Sequence, residues 1–157
     1  MTKALFANQR ESNLASTVAL VEEAIGLLGH QIAASRAAHH GALHAWRIIE
    51  GTATTHVLVV HRTDFSALRV QSVVMTLDDG VDRGALFAHL LEQNATLCGA
   101  AFASAGDEVL LVCERSTLDL DRSEVLDVIR RVATYADDHD EVLVARYGGR
   151  VGAARQA

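Results

Sequence analysis

Apolar residues in this chain recur at two periods, and the switching between them excludes an all-helical or an all-β fold. Over 12–29, Leu14, Val18, Val21, Ile25 and Leu28 fall at alternating steps of four and three, the stripe of an amphipathic helix. Ser12 is placed to cap its start, and Gly29 stands where a helix ends on a residue tolerant of positive φ. The stretch 30–41 is Ala-rich without clean period, either another helical turn or a connector. From 42 to 77 the period becomes two. His44, Trp46 and Ile48 share one face of the first run. Val57, Val59 and His61 alternate with His56, Leu58 and Val60 in the second, and Leu68, Val70, Ser72 and Val74 with Arg69, Gln71, Val73 and Met75 in the third. Three such runs joined by short polar links predict an antiparallel meander.

Asp78-Asp79-Gly80 ends the sheet pattern, and a second helix is expected over 82–94 with Leu86, Phe87, Leu90 and Leu91 as its apolar face. Strands over 98–104 and 108–115 flank Ala105-Gly106-Asp107, a hairpin signal. Asp121 and Glu124 are spaced as a capping box for a last helix, whose stripe comprises Val125, Val128, Ile129, Val132, Tyr135, Ala136, His139, Val142 and Leu143. The expected order is α-β-β-β-α-β-β-α, an α+β fold. Residues 12–147 form one domain between a flexible N-terminus (1–11) and a flexible, aperiodic tail (148–157).

Composition narrows the function classes. The chain has 157 residues, half of them hydrophobic, and its 14 basic and 20 acidic side chains leave a net charge of −6. An acidic chain lacks the Lys and Arg surplus that gives nucleic-acid binding its affinity, and it has no polybasic segment for an anionic membrane. No apolar run reaches the length of a membrane span and no secretory leader is visible, so the cytoplasm is the expected location.

Candidate chemistry is sparse. His39, His40 and His44 form the densest imidazole cluster; His40 and His44 have a spacing that can share a metal, but no Glu or Cys stands nearby, so surface or partly buried histidines are expected. Asp137, Asp138, Asp140 and Glu141 surround His139 without the spacing of a calcium loop; Asp137, Asp138 and Glu141 read as a solvated helix face. Cys98 and Cys113 would oppose each other if the hairpin turned between Ala105 and Gly106, as a disulfide or as a buried reduced pair. There is no Gly-x-Ser-x-Gly elbow and no phosphate-binding glycine loop. No catalytic, cofactor-binding or metal residue is assigned.

The run 86–94, Leu-Phe-Ala-His-Leu-Leu-Glu-Gln-Asn, is followed by a Gly-containing strand with Gly99 and Phe102, a Gly-turn hairpin, and the acidic linker Leu118-Asp119-Leu120-Asp121 that opens the final helix. These residues and the element order resemble the YbjN family and the class I type III secretion chaperones (CesT-like). The resemblance implies a twisted antiparallel sheet with helices packed against it, a homodimer, no catalysis or cofactor, and a surface that binds an extended segment of another protein. Leu86, Phe87, Leu90, Leu91 and Asn94 are the expected dimer interface, the alternative being that this apolar surplus serves one broad core face. Other readings are an immunity or inhibitor protein for one partner, and a metal-dependent enzyme using the His39/His40/His44 cluster.

Overall fold

The first stripe folds as the helix α1 (Thr2–Leu27). The computed structural model describes residues 2–152, with side chains from residue 12 onward. Val21 and Ile25 are fully buried, and Leu14, Val18 and Leu28 pack partly against the same core. The helix starts at Thr2, so Ser12 lies inside it and caps nothing, and the backbone of the segment expected to be flexible continues the helix. Once nucleated, a helix gains one hydrogen bond per added residue and needs no apolar stripe to propagate. At its other end Gly29 adopts φ +86°, and the amides of Gly29 and His30 reach back to the carbonyls of Gly26 and Ile25. This is a Schellman closure, which only a residue at ease with positive φ completes without strain.

A single turn, α2 (Ile32–Ser35), and a two-residue strand, β1 (Arg36–Ala37), follow. The meander comes next: β2 (Ala42–Glu50), β3 (Ala53–His61) and β4 (Ser66–Thr76). Then α3 (Arg83–Asn94), β5 (Ala101–Ala105), β6 (Glu108–Ser116), α4 (Arg122–Tyr147) and β7 (Arg150–Val151) complete the described elements. All pairings are antiparallel in the order β1-β2-β3-β4-β6-β5, with β7 on β4. The returning hairpin therefore enters by its second strand, which leaves β5 at one edge and β1 and β2 at the other.

One sheet face carries Trp46, Val57, Val70 and Cys113, in register across four strands; the first three are fully buried beneath the helices, and Cys113 is half-buried. The opposite face bears no helix-packed core. It holds a small cluster of Ala45, Leu58, Val60 and Ala67 beside polar residues such as Arg69, Gln71 and Glu114. The expected alternation holds along β2 and β3 but fails near the end of β4, where the register shifts between Val73 and Met75. That bulge sends both Val74 and Met75 into the helix-covered core.

In α4 the capping box between Asp121 and Glu124 is present in both directions. Of the expected stripe, Val125, Val128, Ile129, Val132, Ala136 and Leu143 are buried, Tyr135 and His139 are half-buried, and Val142 lies outside the covered arc and is exposed. The chain does not end in a frayed tail at Gly148. Gly149 (φ +81°) turns it back, β7 pairs with Met75 and Thr76, and the Gly152 amide bonds to the Val74 carbonyl. A Cβ on Gly152 would overlap the Val73 carbonyl, so the close approach requires glycine. Residues 153–157 of the expected tail lie outside the described residues.

Candidate functional site

A sheet with one uncovered face and two edges offers backbone donors and acceptors at its margins, and the two margins here are finished differently. At the β5 edge, the Asn94 side chain at the end of α3 lies alongside Phe102. Its Oδ1 accepts from the Phe102 amide at 2.7 Å, and its Nδ2 donates to the Phe102 carbonyl at 3.2 Å. The carboxamide thus occupies the hydrogen-bonding position of a neighbouring strand and closes this edge at Phe102.

The β2 edge is covered only by β1, at Trp46 and Ala45. Beyond it the two-residue turn Gly51-Thr52 makes Glu50 and Ala53 the first pair of the hairpin. In an antiparallel ladder the groups facing outward alternate, so Arg47 and Ile49 direct N–H and C=O away from β3. Arg47 flanks the Arg36–Trp46 pair of β1, and no described strand pairs with Ile49 on that side. The Ile49 side chain is 57% exposed. Next to Glu50 a groove of about 340 Å³ runs between the end of α1 and α4, with Leu28, Ile129 and Ala133 among its apolar lining and Glu50, Arg130 and Asp137 as its charged groups.

The turn that ends this edge is fixed from α4. Asp137 Oδ1 accepts from the Thr52 amide at 2.8 Å and faces its hydroxyl at 2.9 Å, and these bonds hold the Asp137 carboxyl below its usual range. Thr52 Oγ1 also lies 2.8 Å from Oδ2 of the buried Asp140. Asp137 therefore does not belong to a purely solvated helix face. A Cβ on Gly51, which has φ +58°, would overlap the Asp137 carboxylate. The sequence signal was the Gly51-Thr52 turn itself, but nothing local links it to an acid 85 residues away.

The five residues expected at a dimer interface divide. Leu86 and Leu90 are buried in the chain's own core, and Asn94 is engaged with Phe102. Phe87 is half-buried and Leu91 is 70% exposed, beside a groove of about 270 Å³ that also includes Phe102 and Ala103.

The imidazole cluster is not assembled. His44 stacks on Trp46 on the helix side of the sheet (ring centroids 6.1 Å apart), His40 is exposed, and His39 lies on the opposite face against His56, 5.7 Å between centroids. Among the described residues no three His, Cys, Asp or Glu side chains come together to hold a metal ion. His139 packs edge-on against Phe102, with Nδ1 2.7 Å from the Tyr135 carbonyl. The β5–β6 turn centres on Gly106-Asp107, so Ala101 faces Val112, and Cys98 lies outside the strand. The turn lies one residue later than the one that would oppose the cysteines, which shifts the pairing by two residues and leaves Cys98 and Cys113 free. Burial pushes the Cys113 thiol up, the reverse of what a thiolate nucleophile needs. It lines a larger open groove of about 630 Å³ whose walls are the Arg115–Glu124 and Arg131–Asp127 ion pairs.

A family profile described as "T3SS (YopN, CesT) and YbjN peptide-binding chaperone 1" matches residues 15–154. Among curated protein sequences, none matches. Of solved structures, a chain in the ExsC–ExsE complex is similar with a TM-score of 0.61 at 14% identity, covering 82% of this chain and 94% of that one. One in the HopA1–SchA chaperone–effector complex gives 0.58 at 12% identity, over 83% and 97%. One in the complex of the Yersinia pestis type III secretion chaperone SycH with a stable fragment of YscM2 gives 0.51 at 17%, over 75% and 94%. At these identities the likeness is one of fold. No helix among the described residues is long and apolar enough to cross a membrane.

Proposed function

The chain belongs to the family of type III secretion and YbjN peptide-binding chaperones, and on that premise we propose that it binds an extended segment of a partner protein as an added strand on the outer edge of β2. The work is binding, with no reaction: an added strand needs only backbone partners and side-chain pockets. One observation carries the choice of edge. The β5 margin is capped at Phe102 by its own Asn94, whereas Ile49, past the end of β1, presents outward backbone groups with no described strand beside them. A segment paired there would pass Glu50 and meet the apolar groove at Leu28, Ile129 and Ala133.

Proline is tolerated at an edge-strand position whose N–H points away from the sheet. Ile49→Pro should therefore keep the fold and remove one docking bond. Screening the full chain against an array of short unstructured peptides supplies a ligand. The bound peptide should slow hydrogen exchange at the Ile49 amide, and Ile49→Pro should weaken binding about tenfold, the worth of one backbone bond near 1.4 kcal/mol. Binding that leaves the Ile49 amide exchanging at its free rate refutes this placement.

We also propose that two copies associate through α3, on Leu91 and Phe87; the exposed Leu91 beside an apolar groove supports it. Leu86 and Leu90 support the same surface from beneath. Sedimentation should show a dimer that Leu91→Asp converts to a monomer; an unaltered chain sedimenting as a monomer at all concentrations refutes it.

A further inference from the structure

The connector between β1 and β2 folds onto the sheet face that bears no helices, and polar side chains rather than an apolar anchor hold it there. Residues 38–41 close a tight turn, with the Ala42 amide bonded to the His39 carbonyl and Gly41 at φ +81°. From this turn the half-buried His39 ring reaches His56 of β3 and Gln71 of β4. His56 and Gln71 are themselves register partners.

The order of donors along this contact fixes the protonation of His39. Arg69 carries only donors, and its Nε lies 2.7 Å from Oε1 of Gln71, so the Gln71 amide nitrogen is the end that faces His39. That nitrogen is 3.4 Å from His39 Nε2, which must offer a lone pair to receive it. The other ring nitrogen, Nδ1, lies 3.0 Å from the His40 carbonyl and must carry the proton to donate there. Both contacts are satisfied by one neutral tautomer and by no other form. A second proton would set N–H against N–H at Gln71.

The charged groups on the strands around these two rings are mostly cationic. Arg47 on β2 lies opposite His56. Arg69 on β4 lies behind Gln71, and Arg62 stands beyond it at the end of β3. The carboxylate on this face, Glu114 of β6, is already held by Arg62 and Arg69. The exposed His40 is the other titratable side chain on the connector. Burial, His39 and Arg47 together hold the His56 ring below its ordinary range.

We propose that the connector 38–41 is a proton-released clasp: neutral His39, held by Gln71 and packed on His56, keeps it on the open sheet face, and protonation of the two rings frees it. The inference stands apart from the proposed strand site, since the connector joins β2 at Ala42 and Ile49 lies at the opposite end of that strand.

The experiment follows histidine ring and backbone amide signals of the full-length protein by NMR from about pH 8 to about pH 5. The amides of 39–41 should shift or broaden together with the His39 and His56 rings, while those of Val57 and Val70 stay unchanged. His39→Ala should show the released signals at every pH. Gln71→Glu replaces the donor by an acceptor for protonated His39 and should move the release about one pH unit lower. Connector amides that stay fixed while both rings take up protons overturn the proposal. So does a Gln71→Glu protein that releases the connector at the same pH as the unaltered chain.

Discussion

Replacing Asn94 by alanine removes both bonds that close the β5 edge. The geometry gives one short bond, 2.7 Å from the Phe102 amide, and one longer, 3.2 Å to its carbonyl. A net contribution of about 1 kcal/mol per bond, with the part-buried Phe102 groups left to whatever water reaches them, puts the cost near 2–3 kcal/mol. With a urea slope of about 2 kcal/mol per molar, the unfolding midpoint should fall by about 1 M at fixed protein concentration. Asn94→Asp sharpens the test. It keeps the acceptor for the amide but turns a carboxylate toward the Phe102 carbonyl, so it should cost at least as much as alanine although it retains one bond. Hydrogen exchange of the Phe102 amide should accelerate in the alanine variant. A midpoint within about 0.2 M of the unaltered chain, or an aspartate variant clearly more stable than alanine, would refute the reading of this side chain as a stand-in strand.

Gly51→Ala meets both a positive φ and the Asp137 carboxylate, and should cost about 2–3 kcal/mol by chemical denaturation. Combined with Asp137→Ala the loss should be smaller than the sum, because the second change removes the obstruction. Thiol labelling of the folded protein should modify exposed Cys98 rapidly and Cys113 slowly, and mild oxidation should yield no intramolecular disulfide, as mass spectrometry can check. The hydrogen bond from Arg62, with that from Arg69, lowers the Glu114 carboxyl from its usual 4.5. A carboxyl lowered by folding contributes stability above its unfolded value and loses it as pH falls through the folded one. Glu114→Gln should therefore flatten the fall in stability below about pH 4.5, and an unchanged acid profile would count against the pairing.

Sequence reading succeeded where the physics is local. The α1 stripe, the Gly29 terminator, the alternation in β2 and β3, and the Asp121–Glu124 capping box each depend on residues within a few positions of one another, and all four are found as expected. Where a second segment decides, the same pattern supports more than one outcome. Asn94 ends a helix in any reading; only the arrival of β5 beside it makes its amide an edge cap. The cysteine register depended on one residue of turn position, which shifts every cross-strand pairing by two residues.

Leu86 and Leu91 lie on one helix with the same chemistry, yet one is fully buried and the other 70% exposed. Periodicity indicates that a helix has an apolar side but not how wide an arc its own sheet will cover. The sequence by itself determined the kinds and order of the main elements and the caps at Gly29 and Asp121, because propensity, period and hydrogen-bond geometry act over one or two turns. Which edge stays open, where β7 returns, and why His39 meets His56 instead of His44 were decided by tertiary structure. Those outcomes depend on distances between segments far apart in the chain, which packing sets and local spacing does not encode.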